Sequence, residues 1–199
     1  AIASSDLAIL ETVPAYSSLM VYYDITRHSD TDIRASIKAI IESLPELQQV
    51  NAEQGQTHVI PVYYDETVGP DLARIAELHG CSAEEVIERH CRDSYRVYAL
   101  GFAPGFAYMG EVAEDLQAPR LDSPRTRIPA GSVAIAERQT AIYPLASPGG
   151  WNIIGRTTFP LYEPQKGILN QLNSGDTVRF KAISKDEFIA AGGSVEAFE

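Results

Sequence analysis

The sequence predicts an α+β protein in two parts, a small domain of mixed helices and strands over residues 1–93 and a β-rich domain over residues 94–199. Two observations carry this prediction. In the first part, apolar residues alternate along 17–25 and then recur with helical spacing along 31–44. From Tyr95 onward, short apolar segments are separated by glycine, proline, serine and asparagine turns, which is typical of a closed barrel or a sandwich.

The small domain begins with a strand and a helix. A strand at Ser17–Ile25 follows from the alternation, because every second side chain is apolar and would face one side of a sheet. A helix over Thr31–Leu44, with Asp30 as its cap, follows from isoleucines at helical spacing. A second strand at Thr57–Tyr64 contains Pro61, which indicates a sheet edge or a bulge because proline cannot donate a ladder hydrogen bond.

Two further helices precede the β-rich part. Pro70 suits the first turn of a helix that runs to about His79, and Gly80 is its natural C-cap. The capping box Ser82-x-x-Glu85 opens the next helix.

The β-rich domain contains at least five short strands and one late helix. The capping box Ser184-x-x-Glu187 opens that helix. The predicted strands are Tyr95–Leu100, Ser132–Ala136, Gln139–Tyr143, Trp151–Ile154 and Asp176–Ile183.

Composition narrows the possible partners. Lys and Arg total 16 against 27 Asp and Glu, a net charge of −11, so a nucleic-acid or anionic-membrane surface is disfavoured. Two cysteines, Cys81 and Cys91, form neither a metal-ligand pattern nor a disulfide framework, and reduced thiols are typical of the cytoplasm. We therefore expect a cytoplasmic protein without a metal site.

Common catalytic motifs are absent from the sequence. It contains no phosphate-binding G-x-x-x-x-G-K-[ST] loop, no dinucleotide G-x-G-x-x-G loop and no nucleophile elbow G-x-S-x-G. The sequence motifs therefore give no indication of a self-contained enzyme of a standard type.

The segment 101–157 nevertheless has the composition of a ligand pocket. Arg120, Arg125 and Arg156 lie beside prolines or glycine, and a guanidinium on a stiff turn suits a carboxylate or a phosphate. The turn Ser147–Gly150 can direct backbone N–H groups at an anion. We expect the three arginines to converge on one pocket, with separate intramolecular ion pairs as the alternative.

Aromatic and titratable residues complete this hypothesis. The rings of the pocket could equally be core packing. His90 and Tyr143 are the candidate catalytic groups, although His90 is also suited to packing at the domain junction. Gln139 lies four residues before Tyr143 on the same strand face, where both could bind a ligand or close a polar ladder. The predicted substrate-binding residues are Phe102, Phe106, Tyr108, Arg120, Arg125, Gln139, Ser147, Gly149, Gly150, Trp151 and Arg156.

These motifs resemble one known family. The segments GFAPGFAYMG, PR…PR…IPAGSVAIA…QTAIYP and SPGGWNIIGRT, with VPAYSSLMVYYD and IPVYYDETV upstream, are similar to the family of the 5-oxoprolinase B subunit. That family also holds proteins called allophanate hydrolase subunit 1 and Kip-type inhibitors of sensor histidine kinases. The resemblance extends from about Leu10 to Phe180.

The resemblance implies a fold and a set of partners. It implies a ferredoxin-like small domain, apparently incomplete here, followed by a cyclophilin-like β-barrel. It also implies a homologous second protein, of the type of the 5-oxoprolinase C subunit, and a third protein of the LamB/YcsF type. Such a complex opens 5-oxo-L-proline to L-glutamate with ATP as co-substrate, and which of its members binds ATP is left open.

The sequence departs from the family pattern at two places. Family members usually carry a strand and a helix before the VPAYSS segment, so we expect a longer natural N-terminus or another chain in that place. Glu137 stands where the family commonly has glycine.

Three functions therefore remain in view. The first is an enzyme subunit for ATP-dependent opening of 5-oxoproline, which is inactive without its partners. The second is allophanate or urea-type chemistry, and the third is non-catalytic inhibition of a sensor histidine kinase.

Overall fold

A computed structural model describes residues 7–43 and 55–195 of the 199-residue chain. The chain divides into two compact units, Ala1–Glu53 and Gln54–Glu199, whereas the sequence places the domain boundary at residue 93. The difference arises because the segment from 55 to 93 packs with the β-rich part of the chain. No helix among the described residues has the length and apolar content needed to cross a membrane.

The described part of the first unit is a hairpin followed by a helix. Strand β1 (Ile9–Ala15) pairs antiparallel with β2 (Ser18–Tyr23), and helix α1 covers Asp30–Ser43. The helix cap is Ser29, whose hydroxyl accepts the Asp32 backbone N–H at 3.2 Å, so the predicted Asp30 cap is wrong. A ferredoxin-like arrangement for this unit stays a prediction.

The second unit contains nine strands, three helices and two short 3-10 helices within residues 55–195. Its elements are β3 (Thr57–Val62), α2 (Leu72–His79), α3 (Ala83–Arg92), β4 (Ser94–Leu100), β5 (Ala107–Gly110), β6 (Arg125–Ile128), β7 (Ser132–Ala136), β8 (Gln139–Ile142), β9 (Ser147–Gly149), β10 (Asn152–Arg156), β11 (Thr177–Ala182) and α4 (Lys185–Ala190). The 3-10 helices are Glu114–Leu116 and Pro164–Lys166.

Seven of these strands form a nearly closed barrel. Their order is β10-β7-β8-β5-β4-β11-β3, and only the β11–β3 pair is parallel. The two outer strands meet where Tyr63 and Arg156 exchange backbone hydrogen bonds of 2.9 and 2.8 Å. This architecture agrees with the expected cyclophilin-like barrel. Strands β6 and β9 form a separate two-stranded ribbon.

Strand β3 belongs to the barrel and not to the small domain in which the sequence placed it. It pairs with β11 along its whole length, from Thr57 opposite Thr177 to Val62 opposite Ala182. Pro61 is tolerated because β3 has a ladder partner on one side only. Helices α2 and α3 then pack against β10 and β11, which explains why the unit boundary falls before β3.

Three of the predicted helix-end signals are present in the structure, whereas helix α2 begins at Leu72 with Asp71 as its N-cap, so the expected Pro70 in its first turn is wrong. Gly80 closes α2 with φ 60°, a left-handed conformation that favours glycine. The capping boxes of α3 and α4 are both present, with Ser82 and Glu85 in one and Ser184 and Glu187 in the other. These three predictions are confirmed because each depends on contacts between near neighbours in the chain.

His90 lies in the barrel core and not in a pocket. It is fully buried on α3, where its Nδ1 lies 2.8 Å from the Tyr64 hydroxyl and its Nε2 lies 3.0 Å from Thr140 Oγ1. Thr140 Oγ1 donates its own proton to the Ala134 carbonyl, so the network assigns the imidazole proton to Nε2. The ring stacks on Phe180 with centroids 4.4 Å apart.

Burial makes His90 a source of acid sensitivity. It lowers the pKa of His90 from 6.5 to about 3, so the unfolded chain binds this proton at a higher pH than the folded protein does. The contribution of neutral His90 to the free energy of unfolding is therefore fully present above pH 6.5 and is lost as the pH falls towards 3.

We predict that the free energy of unfolding decreases by about 2 kcal/mol between pH 7 and pH 5 because of His90. Urea titrations followed by Trp151 fluorescence measure it. The variant His90→Gln has no imidazole to protonate and should lose that part of the pH dependence. An equal pH dependence in both proteins would show that His90 is not the titrating group.

Candidate functional site

A small recess lies where the loop after β4 faces the β6–β9 ribbon. Its volume of about 130 Å³ is below the roughly 300–1,000 Å³ of sites for drug-sized ligands, so it suits a small metabolite. It is lined by Phe102, Phe106, Tyr108, Arg120, Tyr143, Pro148, Gly149, Gly150 and Trp151. The fold thus brings eight of the predicted site residues together, and Pro148 is the lining residue that the sequence did not single out.

The floor of the recess is a rigid aromatic cluster. Phe106 packs edge-on against Tyr143 and Trp151, with ring centroids 5.5 and 5.9 Å apart. These three side chains are buried, together with Ile128 and Ile153. Edge-to-face packing fixes the ring orientations, so the recess is formed before any ligand enters.

Tyr143 contributes a hydroxyl to this floor, and that hydroxyl lies against Gly149. Burial raises the pKa of Tyr143 to about 12, although the nearby Trp151 backbone N–H, Arg120 and Arg125 favour its ionised form. The phenol therefore keeps its proton at neutral pH and can donate a hydrogen bond to a ligand oxygen. Among the described residues that line the recess, none has a carboxylate that could accept this proton.

Gly149 is required beside this hydroxyl. A Cβ at position 149 would fall well inside van der Waals contact with the Tyr143 oxygen and close to Ile128. The glycine therefore lets the turn Ser147–Gly150 pass over the phenol without a collision.

Arg120 supplies the positive charge at the mouth of the recess. Its guanidinium carbon lies 5.8 Å from the centroid of the Trp151 ring, within the range of a cation–π interaction. The side chain is exposed, so an anion can reach it from solvent. A guanidinium held over an aromatic face is well placed to receive a carboxylate bidentately.

Phe102 forms the outer wall in a strained backbone conformation. Its φ is 68°, which is unfavourable for a bulky residue, and the side chain is 63% exposed. Its ring contacts Phe106 edge-on with centroids 5.2 Å apart. A strained, exposed aromatic beside an apolar recess is a common mark of a functional position.

Arg125 is engaged in a bidentate ion pair with Asp71. Its two terminal nitrogens lie 2.8 and 3.0 Å from the two oxygens of Asp71. Asp71 also accepts the Ile153 backbone N–H at 2.7 Å. This pair anchors the β6–β9 ribbon to the start of α2 and to β10, so Arg125 supports the recess from behind.

Arg156 lies elsewhere. It is buried on β10, where its guanidinium donates to the Ser194 carbonyl at 3.1 Å and its backbone closes the barrel with Tyr63. The expected convergence of Arg120, Arg125 and Arg156 on one pocket is therefore wrong. Arginines in glycine- and proline-rich turns can have similar sequence surroundings although their side chains point in different directions.

The remaining predicted residues lie outside the recess. His90 is sealed in the barrel core. Gln139 lies at the opposite end of β8 from Tyr143, paired with Ala136 and Gly110. The Ser147 hydroxyl is buried without a hydrogen-bond partner in the described residues, and its backbone pairs with Ile128. Their functional roles stay predictions.

Sequence reasoning missed Asp71. The residue is polar and precedes a helix, which alone indicates a cap, and its partner is 54 positions away along the chain. No local pattern carries that pairing.

Residues 7–43 and 55–195 hold no group of three or more His, Cys, Asp or Glu side chains that could bind a metal ion.

Comparison with known proteins identifies the family. The family described as carboxyltransferase domain, subdomain C and D, matches residues 3–169. The chain is 40% identical over 188 residues to the B subunit of the 5-oxoprolinase of Bacillus subtilis, covering 91% of this chain and 78% of that protein.

The chain belongs to the carboxyltransferase subdomain C and D family. It also resembles the crystal structure of TTHA0988, with 40% sequence identity and a TM-score of 0.75, over 92% of this chain and 35% of that one. The chain thus spans about a third of that protein. The urea carboxylase of Kluyveromyces lactis has a TM-score of 0.70 at 17% identity, over 95% of this chain and 19% of that one, which shows a shared fold alone.

Glu137 lies in the β7–β8 turn, where the family resemblance implies a glycine. Its φ is 54°, a left-handed conformation in which glycine has no steric penalty. The turn keeps its shape here because the Glu137 backbone N–H donates to the Ala118 carbonyl at 2.6 Å.

We predict that Asp71→Asn lowers the free energy of unfolding by about 2 kcal/mol. This is less than the roughly 3–5 kcal/mol of a fully buried pair, because Arg125 is 27% exposed. Urea unfolding of Asp71→Asn, Arg125→Gln and the double variant should give a coupling of at least about 1 kcal/mol. Arg138→Gln, which removes an exposed pair with Glu111, is the control and should change stability by under about 1 kcal/mol.

We predict that Phe102→Gly is more stable than Phe102→Ala by about 1 kcal/mol, because alanine retains the left-handed penalty that glycine lacks. Both variants lose the ring, so their difference isolates the backbone. At exposed Leu145, where φ is negative, the order should reverse, with glycine less stable by about 0.4–1 kcal/mol. Thermal unfolding of the four variants measures both differences, and equal stability of the two Phe102 variants would exclude strain.

Proposed function

We propose that this chain is the B subunit of a cytoplasmic 5-oxoprolinase. It would act with a homologous second subunit of the C type and a third protein of the LamB/YcsF type to open 5-oxo-L-proline to L-glutamate. The 40% identity to a 5-oxoprolinase B subunit over 91% of the chain supports the proposal. The structural feature that carries it is a small aromatic recess with Arg120 at its mouth and the Tyr143 hydroxyl in its floor.

The recess matches the chemical groups of 5-oxoproline. The carboxylate binds the Arg120 guanidinium, and the lactam ring packs against Trp151 and Phe106. The lactam oxygen then accepts the proton of Tyr143. A donor directed at this oxygen stabilises negative charge that develops there when the amide is attacked.

The amide itself needs activation. Lactams are resonance-stabilised, and phosphoryl transfer from ATP to the lactam oxygen would convert that oxygen into a leaving group. Water then adds to the ring carbon, and the carbon–nitrogen bond breaks as the nitrogen takes a proton, which leaves γ-glutamyl phosphate. A second water displaces the phosphate, so that 5-oxoproline, ATP and two waters give glutamate, ADP and phosphate. The residues of this chain bind and orient the substrate in that scheme, and ATP is a co-substrate of the complex.

Neither alternative has a specific observation in its favour. The resemblance to urea carboxylase lies below 25% identity and concerns the fold. The recess is too small for a protein segment, so it gives no support to inhibition of a histidine kinase. We therefore retain 5-oxoproline opening as the function that the geometry supports best.

We predict that the assembled three-protein complex hydrolyses ATP in the presence of 5-oxoproline, whereas this chain alone has little or no turnover. Glutamate release measured beside ADP release tests the coupling. Robust turnover by the single chain would contradict its role as a partner-dependent subunit.

We further predict that Arg120→Gln in the complex raises the KM for 5-oxoproline about 10- to 100-fold, the value of a hydrogen bond to a charged group. Arg127→Gln is the matched control, because Arg127 is an exposed arginine of β6 outside the recess. An unchanged KM in the Arg120 variant would remove Arg120 from substrate binding.

A further inference from the structure

We propose that the recess selects its ligand by charge count: it accepts a small cyclic amide with a single carboxylate and rejects the ring-opened amino dicarboxylate, with Arg120 and Tyr143 setting this specificity. The inference rests on the proposed function and extends it from substrate binding to discrimination against the product. The inference depends on the single positive charge of the recess, on the absence of a carboxylate among its described lining residues and on its small volume.

The recess offers one positive charge and no negative charge. Arg120 is the charged side chain among the residues that line it, and the others are aromatic, proline or glycine. Such a lining is matched to a monoanion. A ligand with one carboxylate and an otherwise neutral body leaves no charge unpaired.

The nearest second cation is already used. Arg125 lies close enough to influence the Tyr143 hydroxyl, but its two terminal nitrogens bind the carboxylate of Asp71. A second ligand carboxylate would have to displace that buried partner. Arg125 therefore does not extend the recess to dianions.

An ammonium group finds no partner in the recess. No carboxylate lines it in the described part of the chain, and the face of Trp151 that could attract a cation already carries the Arg120 guanidinium. The Tyr143 oxygen already accepts the Trp151 backbone N–H, so its free proton suits a ligand acceptor. Burial of an unpaired ammonium is strongly unfavourable.

Ring opening changes both the number of carboxylates of the ligand and its content of ammonium groups. 5-Oxoproline carries one carboxylate and a neutral lactam, whereas glutamate at neutral pH carries two carboxylates and one ammonium. The product is also a flexible chain that no longer presents a flat ring to Trp151 and Phe106. The residues that bind the substrate therefore bind the product only weakly, without any movement of the protein.

The single tryptophan makes binding directly measurable. Trp151 is the only tryptophan of the chain and lines the recess, so a ligand there changes its fluorescence. We would titrate the full chain with four compounds that differ by one feature: 5-oxoproline, 2-pyrrolidinone without the carboxylate, cyclopentanecarboxylate without the amide, and L-glutamate.

We expect 5-oxoproline to bind at least about tenfold more tightly than either single-feature compound, and glutamate to give no saturable change. Arg120→Gln should remove the preference over 2-pyrrolidinone, and Tyr143→Phe the preference over cyclopentanecarboxylate. Arg127→Gln should keep both preferences. Circular dichroism of each variant confirms that the barrel is folded.

Two outcomes would overturn the inference. One is glutamate binding as tightly as 5-oxoproline, and the other is the absence of any saturable response of Trp151 to 5-oxoproline. The assay of the assembled complex separates this failure from that of the proposed function. Turnover of 5-oxoproline together with strong inhibition by glutamate would refute charge selection and leave the function intact. Selective binding measured by Trp151 fluorescence without turnover would refute the function and leave the selection intact.

Discussion

The ion pair between Arg125 and Asp71 is the constraint on which the recess depends. Strands β6 and β9 are not part of the barrel sheet, so no continuous ladder of hydrogen bonds holds them in place. The bidentate pair fastens their ribbon to α2 and, through the Ile153 backbone N–H, to β10. Since the ribbon carries Gly149 and precedes Trp151, this pair helps to hold part of the lining of the recess in place.

The barrel separates two kinds of polar chemistry. On one side of the sheet, His90, Tyr64 and Thr140 form a closed hydrogen-bonded chain whose members satisfy one another within the core. On the other side, Tyr143 directly follows β8 and lines the recess, with its hydroxyl against Gly149. Strand alternation places Thr140 and Tyr143 on opposite faces, which explains how neighbouring polar residues serve packing in one case and a site in the other.

Local sequence signals predicted three helix ends and most barrel strands, because capping boxes, the Gly80 C-cap and apolar runs depend on near neighbours. Ser132–Ala136 was predicted with the observed bounds. Long-range pairing was beyond the sequence: β3 was assigned to the wrong domain, and Arg125 and Arg156 were grouped with Arg120. The aromatic residues, Gly149 and Gly150 were grouped correctly because strands that lie close in the chain also lie close in this fold. Asp71 gave no signal that distinguishes it from an ordinary helix-capping residue.

The parallel pair of β3 and β11 has a consequence for synthesis of the protein. Its flanking residues Gln56 and Asp176 are 120 positions apart and joined by a hydrogen bond, while the strands between them include two hairpins, β4–β5 and β7–β8. Most of the sheet can therefore form as the chain leaves the ribosome, but β3 has no ladder partner until β11 emerges. Contacts of such long sequence separation form slowly and leave a strand edge exposed meanwhile. The earliest strand of the barrel is thus the last to be paired, and the nascent chain must keep it from other edges for most of translation.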